Sequence, residues 1–297
     1  MKILLCGKNG QVGWELQRSL DPLGELVAHD RSTLDLAQPE AIVAMVRSVK
    51  PDVIVNAAAY TAVDQAESER AQAFVINADA PGILAHEARR AGALLIHYST
   101  DYVFDGSSAK PYVEDDTPAP LNAYGLSKLE GERAIQRSGC RHLILRTSWV
   151  YSARGKNFLL TMLRLARERP ELKIVDDQQG APTSAAAIAS STAVMVQQLA
   201  YGEGSEGLYH MSAAGSTTWF GFASRIISLG KLSCRALPIT TREYPLPARR
   251  PANSLLDNGK LHRHFGIALS AWDEELDRCT RDIAAGKPDT PASTRVG

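Results

Sequence analysis

Short apolar runs at residues 2–6, 53–57, 94–99 and 142–147 are each closed by glycine, proline or small polar residues. Between them lie longer stretches whose apolar positions recur at helical spacing, at about 11–20, 39–49, 66–90 and 122–138. The runs read as buried strands, with a further strand at 26–29, and Pro51 and Gly92 punctuate two of the helix ends. Alternation at this spacing builds βαβ units, whose right-handed crossovers place helices on both faces of a parallel sheet. The predicted class is therefore α/β, a doubly wound parallel sheet of Rossmann type.

Past Trp149 the alternation thins to a helix at 157–169, a strand at 172–175, a helix at 184–199, a strand at 208–211 and a helix at 217–229. No second dinucleotide fingerprint occurs there. The expected division is residues 1–150 as an NAD(P)-binding Rossmann domain and residues 151–283 mainly as a smaller C-terminal α/β substrate lobe sharing some elements with the first. Residues 284–297, rich in Pro, Thr, Ala and Gly, read as a flexible tail.

At 297 residues the chain has ample core, and its 33 Lys+Arg balance 33 Asp+Glu. Zero net charge argues against a nucleic-acid binder, which needs a basic surface to neutralise phosphates. The 4 cysteines are widely separated and lack metal-ligand spacing, so they read as reduced, packed thiols. The apolar run at the N-terminus is too short for a signal peptide and no stretch has the length of a membrane span, which makes the cytoplasm the expected compartment.

Gly7, Gly10 and Gly13 are spaced three and three, directly after the first strand and opening the first helix. That is the context of a dinucleotide loop: one glycine for the tight turn, one for backbone approach to a pyrophosphate, one for helix–strand packing. Gly7, Asn9, Gly10, Gln11 and Val12 are its candidate cofactor contacts. Asp30 ends the second strand, where a carboxylate suits the ribose hydroxyls and disfavours a 2′-phosphate, whereas Arg31 beside it suits that phosphate or forms a surface pair with Asp30. Either NADH or NADPH is compatible, with the balance toward NADH. Asp35 and Leu36 are placed to approach the adenine. Ala57, Ala58, Ala59, Tyr60 and Thr61 follow the third strand, where small residues permit close passage of a cofactor or tight helix packing.

Tyr124 and Lys128 lie four residues apart at the start of the 122–138 helix and so share a face. An ammonium beneath a phenol favours the phenolate and brings a pKa of about 10 toward neutrality. Upstream, Ser99, Thr100 and Asp101 end a strand. A phenol, an ammonium and a hydroxyl are thus available to one carbonyl.

The glycine loop, Asn-Ala-Ala-Ala-Tyr-Thr at 56–61, Tyr-Ser-Thr-Asp-Tyr-Val-Phe at 98–104 and Tyr-Gly-Leu-Ser-Lys at 124–128 together resemble the extended short-chain dehydrogenase/reductases. Segments 8–16, 146–151, 177–183 and 247–254 are similar, more narrowly, to the dTDP-4-dehydrorhamnose reductase family, over roughly residues 1–280. The resemblance implies NAD(P)H-dependent reduction of the C4 ketone of dTDP-4-dehydro-6-deoxy-L-mannose to dTDP-L-rhamnose, the last step of dTDP-rhamnose synthesis. It implies Tyr124 as proton donor, Thr100 polarising the ketone, and Lys128 holding the nicotinamide ribose and lowering the Tyr124 pKa. Thr100, Asp101, Trp149, Asn157, Arg249 and Arg250 are then the candidate sugar-nucleotide contacts. Trp149 is alternatively core, and one of the two arginines alternatively pairs with a surface carboxylate. Some bacterial members form magnesium-bridged dimers. Glu15 matches one ligand, but Ala185, Ala186 and Ala187 stand where another belongs, so no metal ligand is assigned and a monomer or homodimer is expected. A related epimerase would keep the loop and the Tyr/Lys pair; a dehydratase would add an Asp-Glu pair, whereas here Asp101 is followed by Tyr102. A regulatory dinucleotide-binding subunit without turnover would lack the pair.

Overall fold

The computed structural model describes residues 1–202 and 204–286. The first half runs β1 (Lys2–Cys6), α1 (Gln11–Leu20), β2 (Glu25–His29), α2 (Pro39–Val49), β3 (Val53–Asn56), α3 (Arg70–Phe74), α4 (Ala80–Ala91), β4 (Leu94–Thr100), α5 (Ala123–Ser138) and β5 (His142–Thr147). The second half adds β6 (Val150–Tyr151), α6 (Phe158–Glu168), β7 (Glu171–Val175), β8 (Gln179–Gly180), β9 (Thr183–Ser184), α7 (Ala185–Ala200) and β10 (Gly207–His210). It closes with β11 (Thr217–Thr218), α8 (Trp219–Leu229), β12 (Arg235–Ile239), α9 (Gly259–Phe265) and α10 (Trp272–Ala284).

Six parallel strands form one sheet in the order β10-β5-β4-β3-β1-β2. Its central strands are apolar along nearly their whole length because both faces are covered. On one face Leu16 and Leu20 of α1 and Ile188 and Val196 of α7 meet Ile3, Leu5 and Ile96. On the other, Ile42 and Val46 of α2 and Leu84 and Ala88 of α4 meet Leu4, Ile54 and Leu95. Strand order reverses between β1 and β3. In such sheets the crevice beyond the carboxyl ends at that switch point is where ligands bind.

One predicted helix, 66–90, is interrupted. A 3₁₀ turn at residues 65–67 precedes α3, and a π-helical turn at 75–79 joins α3 to α4. Pro81 has no N–H to give to the carbonyl of Asn77 four residues back, so the ladder widens there. The freed carbonyl meets α5 at Gly131, where a Cβ would fall 2.1 Å from the Asn77 oxygen. The Asn77 side chain fastens the turn: Oδ1 accepts from Tyr60 N (2.9 Å), and Nδ2 donates to Tyr60 O and to Ser127 Oγ (both 3.0 Å).

Two elements from beyond residue 150 rejoin the large sheet. Helix α7 packs on α1, and β10 extends the sheet beside β5, with Leu261, Phe265 and Leu269 in the same core. The other elements, α6, β7 with β12, α8 and α10, enclose a separate core around Tyr151, Leu159, Phe222, Ile226 and Leu276. Of the expected tail, residues 284–286 finish α10 and its turn, and 287–297 lie outside the described residues. No described helix is long and apolar enough to cross a membrane, and all four cysteines are free thiols.

Gly131→Ala should cost about 1–3 kcal/mol in urea unfolding, because its methyl group has no room against the Asn77 carbonyl. An unchanged midpoint and slope would refute the close approach of α5 to the π turn.

Candidate active site

Helix α5 begins at Asn122, whose Oδ1 accepts from Gly125 N (2.8 Å) while its Nδ2 donates to Arg249 O (2.8 Å). A Cβ at Gly125 would lie 2.1 Å from Tyr102 O, so the first turn sits directly on the segment that leaves β4. This contact brings Tyr124 to Thr100 and Asp101. The Tyr124 ring packs edge-on against Tyr102 with centroids 5.9 Å apart. Burial pushes the Tyr124 phenol up to about 12; the hydrogen bond with the Thr100 hydroxyl pulls it back, and the Asp101 carboxylate adds to the rise. Thr100 Oγ1 also accepts from Tyr102 N (3.1 Å) and donates to Asp101 Oδ1 (3.0 Å), so it caps the strand end as well as facing Tyr124. Asp101 is 3% exposed, and burial raises its carboxyl to about 7 against the pull of the Ser254 and Thr100 hydroxyls.

Lys128 is 1% exposed. Its Nζ donates to Tyr98 O (2.7 Å) and meets His97 Nε2 (3.1 Å), both on β4. Burial lowers it to about 8, opposed by the charge of Glu132 one turn on. The expectation that Lys128 brings Tyr124 toward neutrality is therefore corrected for the protein without cofactor: Tyr124 moves up, because burial outweighs its hydrogen bond and Lys128 is engaged by the strand. Glu132 is itself held by Arg146 through two bonds (2.9 and 2.7 Å) and by the Ser99 hydroxyl. Arg146 lies over the Phe104 ring at 5.0 Å.

The glycine loop has the shape the sequence requires. Gly7 has φ +87°, and a Cβ there would fall 2.7 Å from Ala58 N; a Cβ at Gly13 would fall 2.0 Å from Gly7 O. Gly10 precedes α1 without a side-chain cap, so the first-turn N–H groups of Gln11 and Val12 keep the anion-binding character of a helix start. A cavity of about 620 Å³ runs from Gly7 along Asp30, Arg31, Asp35, Leu36, Ala58, Ala59, Tyr60 and Thr61, whereas Ala57 is outside its lining and packs against the sheet core. Asn9 Nδ2 donates to Asp30 (2.9 Å), Lys8 Nζ lies 3.6 Å from the same carboxylate, and Ser32 binds its other oxygen; the Ser32 hydroxyl contributes most to holding the Asp30 carboxyl at about 2. Arg31 is exposed and 4.0 Å from Asp35. The Leu36 side chain belongs to the core beneath the cavity. A Gly-lined cradle at a helix start beside such a cavity fits a dinucleotide.

The expected substrate contacts separate. Asn157 turns away from that role: it caps α6 through Leu160 N (3.0 Å), and its Nδ2 donates to Gln11 Oε1 (2.9 Å), Ser152 O (2.9 Å) and Arg154 O (3.0 Å). The loop before α6 exposes carbonyls that need a donor, and the asparagine amide supplies it. The Gln11 side chain is taken up in the same knot, which leaves its backbone N–H to the phosphate loop. Trp149, at φ +47°, stacks on Trp219 with centroids 3.6 Å apart, and Gly180 makes room for its ring. Of the two arginines, Arg250 forms a two-pronged pair with Asp64 (2.9 and 2.7 Å) and Arg249 is exposed. Glu15 pairs with Arg18 beside a second cavity, of about 530 Å³, lined in part by Ala185, Ala186 and Ala187. Among the described residues no group of three or more His, Cys, Asp or Glu is placed to hold a metal.

A family model described as the RmlD substrate binding domain matches residues 1–285. The dTDP-4-dehydrorhamnose reductase of Burkholderia thailandensis is 52% identical over 295 residues, covering 95% of this chain and 99% of that one. The chain belongs to the dTDP-4-dehydrorhamnose reductase family. Among solved structures, the reductase ortholog from Clostridium acetobutylicum matches with TM-score 0.91 at 37% identity, over 96% of this chain and all (100%) of that one. The reductase from Bacillus anthracis, solved in complex with NADP, matches with TM-score 0.89 at 37% identity over 95% and 99%. As a member of this oxidoreductase family, the chain has the parallel-sheet fold that the alternation of strands and helices predicts.

Several residues that build this reductase site were passed over in the sequence. His97 lies inside an apolar strand, Asn56 ends another, Arg146 lies near the end of a third, and Glu132 is on α5. A charge or amide within a buried run was the available signal, since such groups are retained only with partners. Lys8 was hidden by its place in the glycine loop.

Asp101 gives a pH test. Its folded pKa is raised above the ordinary value of about 4, so the stability linked to its neutral form is full below pH 4 and is lost as pH rises through about 7. Asp101→Asn should flatten the decline in urea midpoint between pH 4 and pH 8; a decline equal to that of the parent protein would contradict the raised pKa.

Proposed function

We propose that the chain catalyses NAD(P)H-dependent reduction of the C4 ketone of dTDP-4-dehydro-6-deoxy-L-mannose, giving dTDP-L-rhamnose. The observation that carries this reading is the meeting of the Tyr124 phenol and the Thr100 hydroxyl at the carboxyl edge of the sheet, on the side of the switch-point crevice where the Gly7 cradle lies. The reduced dinucleotide supplies the hydride.

Tyr124 gives its proton to the alkoxide that develops on C4. It starts as a phenol, the form a reduction needs, because burial keeps it protonated throughout the neutral range. Thr100 places and polarises the same oxygen by turning its hydroxyl proton from Asp101 Oδ1 to the ketone, while the bond from Tyr102 N holds its oxygen in place. Lys128 holds the nicotinamide ribose. The backbone of the loop at 7–13 takes the pyrophosphate, and Asp30 takes the adenosine ribose, with Lys8 and Arg31 as the cations beside it for a 2′-phosphate. That pair of cations supports use of NADPH, and the Bacillus anthracis relative was solved in complex with NADP. The smaller lobe, with Arg249 free of the Arg250–Asp64 clamp, covers the sugar nucleotide. The product feeds rhamnose-containing polymers.

The test is dinucleotide oxidation with the dTDP-4-keto sugar, measured on the parent protein and on Tyr124→Phe. One equivalent should be consumed per ketone, and the variant should lose about 10²-fold or more in kcat with NADPH affinity retained. No oxidation by the folded parent protein would sink the reaction, and an unchanged kcat would remove Tyr124 as the acid.

A further inference from the structure

Asn56 and His97 are register neighbours on β3 and β4, and both side chains are 1% exposed. With Lys128 they form an unbroken line: Asn56 Nδ2 to His97 Nδ1 at 3.2 Å, then His97 Nε2 to Lys128 Nζ at 3.1 Å. The line starts at a group whose role is fixed. Ala58 N, a backbone N–H that can only donate, binds the Asn56 side-chain oxygen at 3.2 Å. The Asn56 amide must therefore present its NH₂ to His97. His97 Nδ1 then accepts, which puts the imidazole proton on Nε2, facing Lys128. An ammonium has no lone pair to receive it; a neutral amine has one.

We infer that Asn56 and His97 are positioning residues that fix the polarity of this chain and hold Lys128 as the neutral amine in the protein without cofactor. The inference rests on the reading of Lys128 as part of the reductase site. In the neutral arrangement every member is satisfied: Ala58 gives to Asn56, Asn56 to His97, His97 to Lys128, and Lys128 to Tyr98 O (2.7 Å). Protonating Lys128 forces His97 into its other tautomer, and Asn56 then either opposes a donor with its NH₂ or turns over and loses Ala58. The cost falls inside a buried site, where no water replaces the lost bond.

The surrounding charges leave room for this bias. Glu132, one turn along α5, favours the ammonium, but its carboxylate is engaged by Arg146 of β5 and Ser99 of β4. Tyr124, one turn back, is protonated, and Asp101 at the end of β4 is shifted toward its neutral form. Burial, the largest cause, keeps His97 well below its ordinary pKa, so it acts as a neutral relay with a single proton. Burial, opposed by the charge of Glu132, brings Lys128 to about 8. The chain polarity lowers it further, by about one pH unit, the size expected for one unmade buried hydrogen bond. Ala58 also lines the dinucleotide cavity, so the charge on Lys128 and the placing of that wall are coupled through Asn56.

Nitrogen-15 NMR of the labelled full-length chain, without dinucleotide, tests this directly, with His97 identified by the signals missing from His97→Gln. At pH 9, above the Lys128 midpoint, the parent protein should carry the His97 proton on Nε2. Asn56→Asp keeps an acceptor for Ala58 and turns the second position from donor to acceptor. It should move the His97 proton to Nδ1 and raise the Lys128 titration midpoint by about one pH unit or more. A parent protein protonated on Nδ1, or a folded Asn56→Asp variant with the parent tautomer, would overturn the inference. Should that variant fail to fold, the parent tautomer alone decides. Neither arm measures turnover, so absence of ketone reduction with the Nε2 tautomer present would count against the proposed reaction and not against this chain.

Discussion

The site depends on how closely helix α5 lies against the end of β4 and the π turn. Two glycines make that approach possible: Gly125 against Tyr102 O and Gly131 against Asn77 O, each leaving no space for a methyl group. The faces so joined are polar as well as apolar. Lys128 and Glu132 point inward from α5 onto His97, Tyr98 and Ser99, with Arg146 completing the pair. Buried charges of this kind add little stability against an apolar alternative, yet breaking one of them is costly, so they act mainly to specify a register. Here the register is the one that sets Tyr124 beside Thr100. The seam therefore fixes the distance between Tyr124 and Thr100.

Burial has one consistent effect on the titratable groups gathered there. It raises Tyr124 to about 12 and Asp101 to about 7, and lowers Lys128 to about 8. Each shift favours the uncharged form. A reductase needs its acid loaded before the ketone arrives, and a phenol kept protonated by desolvation meets that need without a fixed cation beneath it. The outer part of the crevice is built differently: Asp30 is solvent-facing, ionised, and surrounded by Lys8, Asn9 and Ser32. One crevice thus has a neutral, buried end suited to proton transfer and a charged, open end suited to holding an adenosine.

Much of this was legible in the chain. The βαβ alternation, the loop at 7–13 and the Tyr124–Lys128 spacing are local patterns, and local physics sets them; Thr100 joins the pair only through the approach of α5 to the end of β4. The return of α7 and β10 to the large sheet is not local, since a strand of the smaller lobe and a strand of the main sheet carry the same apolar period. The π turn was hidden because Pro81 near the start of a helix and Pro81 at a widened turn look alike in one dimension. Asn157 suited a ligand contact and a helix cap equally, and the carbonyls of its own loop claimed it. The adjacent arginines divided once Asp64, remote in sequence, reached Arg250.

Transfer of deuterium from [4,4-²H₂]NADPH to the sugar tests the central claim most directly. The account predicts one deuterium at C4 of the dTDP-6-deoxyhexose product for each dinucleotide oxidised, carried by the hydride face only. Product without label at C4, or label that washes in from solvent, would contradict direct reduction at the Tyr124 site.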